Sequence, residues 1–125
     1  MGLLDGLLGN AAEISASDAQ GEFKTILGSE ERIEKAYKLI RDHIIFTDKR
    51  LILVNRQGIT GAKVEYQSIP YRSISRFAVE TAGQFDLDAE LHIWVTGRPE
   101  PISQQFTRHV NIYEVQGLLA HHVAG

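Results

Sequence analysis

Three stretches of this 125-residue chain, together with its five histidines, supply residue types that could do chemistry. The stretch FTDKRLILVNRQ, Phe46 to Gln57, sets Lys49 and Arg50 at a crease between two apolar runs, where they could hold a phosphate or simply close a hairpin. Asp48 favours the hairpin, because an Asp side chain bonds nearby backbone in tight turns. The stretch ETAGQFDLDAE, Glu80 to Glu90, gathers Glu80, Asp86, Asp88 and Glu90 around one aromatic, Phe85. Asp86 and Asp88 have the alternation of a calcium loop, yet they run into Ala89-Glu90-Leu91 without the third ligand, central glycine and distal glutamate such a loop needs. Among the histidines, His43, His92 and His109 stand alone in sequence, and His121 and His122 are adjacent. Adjacent helical residues point about 100 degrees apart, so that pair cannot converge on one metal, and solvated terminal histidines are expected. QGITGAK has two residues between its glycines and Ala62 where a phosphate loop's glycine-lysine pair would begin, so it is not one.

No catalytic set comes out of these stretches. A nucleophile elbow, a dinucleotide-binding turn and a metalloprotease helix are missing from the sequence, and no Ser, His and Asp set assembles from spacing. With no cysteine, thiolate catalysis, disulfides and zinc-cysteine sites are removed together. The expectation is a protein that is not an enzyme and takes no cofactor and no metal. Thirteen Lys plus Arg against 16 Asp plus Glu give a net charge of -3, so there is no excess cation for a nucleic-acid backbone. The cytoplasm is the default compartment. The opening MGLLDGLLGNAAE has no basic region and only two leucine pairs, which suit a short sticky helix better than a signal peptide or a membrane span.

The elements that position these residues are short. Ser17 and Gln20 form a capping-box pair for a helix running to Gly28, with Ala19, Phe23, Ile26 and Leu27 as its stripe. From Glu31 the charges at four-residue spacing suit a helix, whereas Ile33, Tyr37 and Leu39 suit a strand. Strand is preferred, because nothing at Asp42 would stop a helix. IIF and LILV, flanking Thr47-Asp48-Lys49-Arg50, read as two strands and their turn. Alternation predicts further strands over Lys63–Ile69, Ser73–Thr81, Glu90–Thr96 and Ile102–Thr107. Asn111 with Glu114 then caps a closing helix with Ile112, Val115, Leu119 and Val123 on one face. Gly117 inside that helix suggests a close approach to the sheet. Trp94, between Ile93 and Val95, is expected in the core or an interface. Seven short strands and one helix make a small antiparallel barrel, with residues 1–29 as a helical appendage and 30–125 as one domain.

The stretches IIFTDKRLILV and KVEYQSIPYRSISRFAVETAGQFDLDAEL and the IYEVQGLL helix resemble bacterial pleckstrin-homology domains in order and spacing, over roughly Glu30 to Val123. The resemblance implies a mainly β, PH-like fold: two near-orthogonal sheets in a partly open seven-stranded barrel, capped by the last helix. It also implies a closed homo-oligomeric ring, of five protomers in a single-domain version, whose polar surface binds another protein. Eukaryotic relatives bind phosphoinositides through basic residues at the mouth between their first two strands. Here that mouth is Arg41-Asp42-His43, one cation beside an acid, a poor cradle for a phosphorylated headgroup. The expected function is therefore a non-catalytic scaffold whose protein-binding surface draws on Asp48, Arg50, Glu80, Gln84, Asp86 and Asp88. The alternative is a peripheral membrane module inserting Leu3, Leu4, Leu7 and Leu8.

Overall fold

The computed structural model describes residues 13–39, 41–81, 89–107 and 110–124. They form two compact units that meet in sequence at Ile69 and Pro70. The structure is mainly β, in two antiparallel sheets that are not closed into a barrel, with a short N-terminal helix and a C-terminal helix.

The first unit holds a five-stranded sheet in the order β1 (Glu13–Ile14), β2 (Ile33–Lys38), β3 (His43–Thr47), β4 (Arg50–Gln57) and β5 (Lys63–Pro70). The ambiguous segment after Glu31 is thus a strand. Its helix-like pattern has a cause: the register shifts between Ile33 and Lys35, a bulge that breaks strict alternation. Strands β3 and β4 bury every residue from His43 to Thr47 and from Leu51 to Val54. That is why they read as continuous apolar runs rather than alternating ones. One face of the sheet packs Ile33, Ala36, Ile45, Ile52 and Val54 with Ala19 and Phe23. The other carries Tyr37, Ile44, Phe46, Leu51 and Leu53, all fully buried. Burying each such side chain contributes roughly 1.5–3 kcal/mol.

Ala19 and Phe23 come from helix α1 (Ala16–Glu22), which a one-turn 3-10 segment, Lys24–Ile26, follows. The helix is shorter than the sequence suggests and capped differently. The hydroxyl of Ser15, not Ser17, accepts from the Asp18 amide, and Glu13–Ile14 pairs with β2 as an extra, eighth strand. Gln20 is released from capping. Its amide instead donates to the Glu31 carbonyl at 3.0 Å and accepts from the Ile33 amide at 2.8 Å, tying α1 to the start of β2.

The second unit holds β6 (Ile74–Glu80), β7 (Ala89–Val95) and β8 (Ile102–Phe106) in sequence order, and α2 (Ile112–Leu119). A register shift between Ile74 and Arg76 places buried Ile74 and exposed Arg76 on opposite sides, where plain alternation would put them together. The Asn111 side chain accepts from the Tyr113 and Glu114 amides, the expected cap, and Ile112, Val115 and Leu119 are buried. Gly117 does not approach the sheet: a Cβ there would meet nothing within 4 Å. It lies two residues from both Val115 and Leu119, on the far side of the helix from the buried stripe. Of the two terminal histidines His121 is exposed, whereas His122 is half-buried, its ring stacked on Tyr71 at 4.1 Å.

Candidate functional site

Two constellations of charged residues stand out, one in each unit. In the first, Thr47 ends β3, Asp48 and Lys49 form the turn, and Arg50 opens β4. Asp48 accepts from the Arg32 amide at 2.9 Å and returns its own amide to the Arg32 carbonyl at 3.0 Å, which locks the turn to the strand beside it. Arg50 reaches inward. Its Nε and Nη2 donate to Glu31 Oε2 and Oε1 at 2.8 and 2.9 Å, a bidentate pair; Nη2 also donates to the Ile26 carbonyl at 2.7 Å and Nη1 to Ser68 Oγ at 2.6 Å.

Glu31, 6% exposed, is enclosed further. It accepts from the Gly28 amide at 2.9 Å and from the Thr47 hydroxyl at 2.6 Å, while that hydroxyl receives the Lys49 and Arg50 amides. The Arg50 hydrogen bond, opposed by burial and helped by the Gly28 and Thr47 donors, lowers the Glu31 carboxyl to about 2, and Glu31 in turn raises Arg50. The cation at the crease pairs with a carboxylate and closes the hairpin; Arg50 has little left for a phosphate. Arg41 is likewise engaged, donating to the Gly58 carbonyl at 2.6 Å, and Asp42 accepts from the Arg56 amide at 2.8 Å. Gly58 and Gly61 adopt φ of +80 and +72 degrees, which accounts for the glycines of QGITGAK as turn residues. His43 is buried, with no partner for Nδ1 among the described residues, and meets the Phe23 ring edge-on at 5.2 Å; burial lowers its pKa.

The second constellation lies on the outer face of β6, β7 and β8. Arg76 pairs with Trp94, Ala78 with His92 and Glu80 with Glu90, and on the other side His92 pairs with Ser103. Alternation along β7 points Ala89, Leu91 and Ile93 inward and leaves Glu90, His92 and Trp94 on this face. The Arg76 guanidinium lies over the Trp94 ring, 3.9 Å from its centre, so Trp94 is half-buried under a cation rather than in a core. His92 Nε2 stands 2.7 Å from Glu80 Oε1 and 3.5 Å from Glu90 Oε1, and Nδ1 stands 2.8 Å from Ser103 Oγ. His92 therefore does not stand alone, as sequence spacing implied. The period-two alternation of Glu90 and His92 was a usable signal; Glu80 required the strand register.

Of the residues expected at a binding surface, Asp48 and Arg50 fall in the first unit and Glu80 in the second; Gln84, Asp86 and Asp88, with Phe85, lie outside the described residues. The family model described as Bacterial PH domain matches residues 2–123. The chain belongs to the bacterial PH-domain family. Among its relatives is the uncharacterised protein YjqA of Bacillus subtilis (strain 168), 59% identical over 121 residues, which cover 96% of this chain and 97% of that protein. The crystal structure of a pleckstrin homology domain from Shewanella amazonensis SB2B is 46% identical, with a TM-score of 0.82 over 98% of this chain and 99% of that one. A DUF1696-family protein with a pleckstrin-homology domain from Shewanella loihica PV-4 is 41% identical, with a TM-score of 0.80 over 90% and 96% of the two chains. In this bacterial PH domain Arg41 at the strand mouth and Arg50 at the first hairpin are engaged in internal bonds, while Lys49 beside Arg50 is exposed. Among the described residues, no helix is long and apolar enough to cross a membrane.

Proposed function

We propose that this bacterial PH domain is a non-catalytic interaction module that closes into a ring with copies of itself and holds another protein through its polar loops and sheet edges. Membership of a domain family named for its fold, together with the structural engagement of Arg50, Glu31 and Arg41, supports binding rather than chemistry. The observation that carries the reading is β5. It stands last in the order of its sheet, only Ile69 of its eight residues is buried, and Tyr66 on it is 48% exposed. A long exposed edge strand with an aromatic is a surface that a second chain can cover. Ile59, fully exposed at the tip of the glycine turn before β5, adds an aliphatic contact. Repeating a weak polar surface around a ring raises effective concentration, so modest contacts at Asp48, Glu80, Gln84, Asp86 and Asp88 suffice for firm binding. Arg50 serves that surface by fixing the turn that presents Asp48.

The test is light scattering during size-exclusion chromatography of the full chain and of Tyr66→Asp at micromolar concentration. The expected outcome is a multiple of the chain mass for the wild type and a folded monomer for the variant. A wild-type monomer would remove the avidity mechanism.

A further inference from the structure

We propose that Glu80, Glu90 and His92 form a binding site for one divalent transition-metal ion of the Zn2+ class, on the outer face of the three-stranded sheet. The three side chains offer two carboxylate oxygens and one imidazole nitrogen, all within 4.8 Å of one another. An oxygen-and-nitrogen donor set containing imidazole suits Zn2+, Ni2+ and Cu2+ and disfavours Mg2+ and Ca2+, which take oxygen ligands.

Two features beyond proximity point to a cation here. Glu80 and Glu90 are directly opposed in the β6–β7 ladder, an arrangement that like charges destabilise. Among the described residues no Lys or Arg ion-pairs with either of them, and Arg76, two pairs along the same face, is committed to the Trp94 ring. Their charge converges on one imidazole nitrogen. That imidazole is also oriented from behind, because His92 Nδ1 is 2.8 Å from Ser103 Oγ on β8. A ligating histidine is commonly held in this way, its second ring nitrogen donating to an oxygen while the first faces the metal.

The geometry needs little adjustment. Donor atoms around a tetrahedral Zn2+ sit about 3.4 Å apart when the bonds are about 2.1 Å. The Nε2 to Glu90 distance of 3.5 Å already matches, and the 2.7 Å hydrogen bond to Glu80 opens slightly as the metal takes the place of the shared proton. Glu80 and Glu90 have side chains 69% and 51% exposed, free to make that move, while His92 is 18% exposed and stays put. Three protein ligands leave the fourth position to water or to an atom from a partner.

The chain has one tryptophan, Trp94, whose ring centre is 6.2 Å from that of His92, so Cu2+ bound at this site quenches its emission. The full-length protein, stripped with chelator, is titrated with Zn2+ by calorimetry and with Cu2+ by Trp94 fluorescence. Expected are one Zn2+ per chain, Cu2+ quenching that Zn2+ competes away, and no such competition by Mg2+ or Ca2+ at the same concentration. His92→Gln and the double variant Glu80→Gln/Glu90→Gln each weaken Zn2+ binding at least tenfold and abolish the Zn2+-induced rise in melting temperature, whereas His121→Gln/His122→Gln changes neither. The rise in melting temperature follows from ligand binding to the folded state alone. Equal Zn2+ affinity in wild type and both site variants, or no binding up to millimolar Zn2+, overturns the proposal; so does Cu2+ quenching that persists in His92→Gln. Circular dichroism of the metal-free variants checks that they are folded; Glu→Gln keeps shape while removing charge, and His92→Gln removes the imidazole ligand.

Discussion

The two units each present a basic group between carboxylate oxygens, yet the surroundings give them opposite characters. In the first, one carboxylate, Glu31, receives three kinds of donor: the Arg50 guanidinium, the Thr47 hydroxyl and the Gly28 amide. In the second, two carboxylates on the exposed face share one imidazole. A carboxylate that is enclosed and over-supplied with donors is a structural fastener; carboxylates that are exposed and under-supplied remain available to a ligand. Net charge and residue type do not separate the two cases, whereas burial and the donor count do.

The contrast breaks most visibly at Arg50. Arg50→Met leaves the Glu31 carboxylate enclosed without its bidentate partner, and removing one member of a buried pair costs about 3 kcal/mol or more. The expected result is a large drop in the urea midpoint at pH 7, with β5 and the 3-10 segment loosened together, since Arg50 also holds Ser68 and the Ile26 carbonyl. Near-unchanged stability would mean the pair is dispensable and the two regions are alike.

Acid sharpens the same comparison. Glu31 titrates at about 2 in the folded protein against an ordinary value of 4.5. The unfolded chain therefore takes up the proton first, so this contribution is complete above about pH 4.5 and is lost as pH falls towards 2, amounting to about 3 kcal/mol in all. Denaturation midpoints measured from pH 6 down to pH 3 are expected to fall steeply in the wild type. In Glu31→Gln, which starts from a lower stability at neutral pH, the slope over that range is expected to be shallower. An identical slope would assign acid sensitivity to other groups.

Much of this arrangement was legible in the sequence, and the omissions share a cause. The strands, the hairpin turn at Asp48 and the Asn111 cap follow from local chemistry, because β-branched runs, Asp in a turn and an Asn N-cap each act within a few residues. The bulges at Glu34 and Ser75 were not legible, and the one at Ser75 decides which side of its sheet Arg76 faces. Ser15 and Ser17 are equally good caps in isolation; what selects Ser15 is that Gln20 is drawn away to the backbone of Glu31 and Ile33, eleven and thirteen residues on. That Arg50 closes a hairpin was readable, but that Glu31 is the carboxylate it pairs with depends on a contact between residues nineteen apart in sequence. The Glu80, Glu90 and His92 cluster sits between these extremes, half of it given by alternation on β7 and half by the register of β6 against β7.

The smallest effect is expected at that cluster, and its smallness is what distinguishes it. In metal-free buffer, Glu80→Gln/Glu90→Gln removes a repulsion between opposed carboxylates and also weakens the hydrogen bond between Glu80 and His92. These changes have opposite signs, and each is worth only a few tenths of a kcal/mol on an exposed sheet face. The net change in unfolding free energy is expected within about 0.5 kcal/mol of zero, the range of ordinary surface substitutions. A loss of more than about 1 kcal/mol would make the cluster a second fastener of the Glu31–Arg50 kind. A null result, set beside the collapse of Arg50→Met, would show that the outer face of β6, β7 and β8 carries charge the fold does not need.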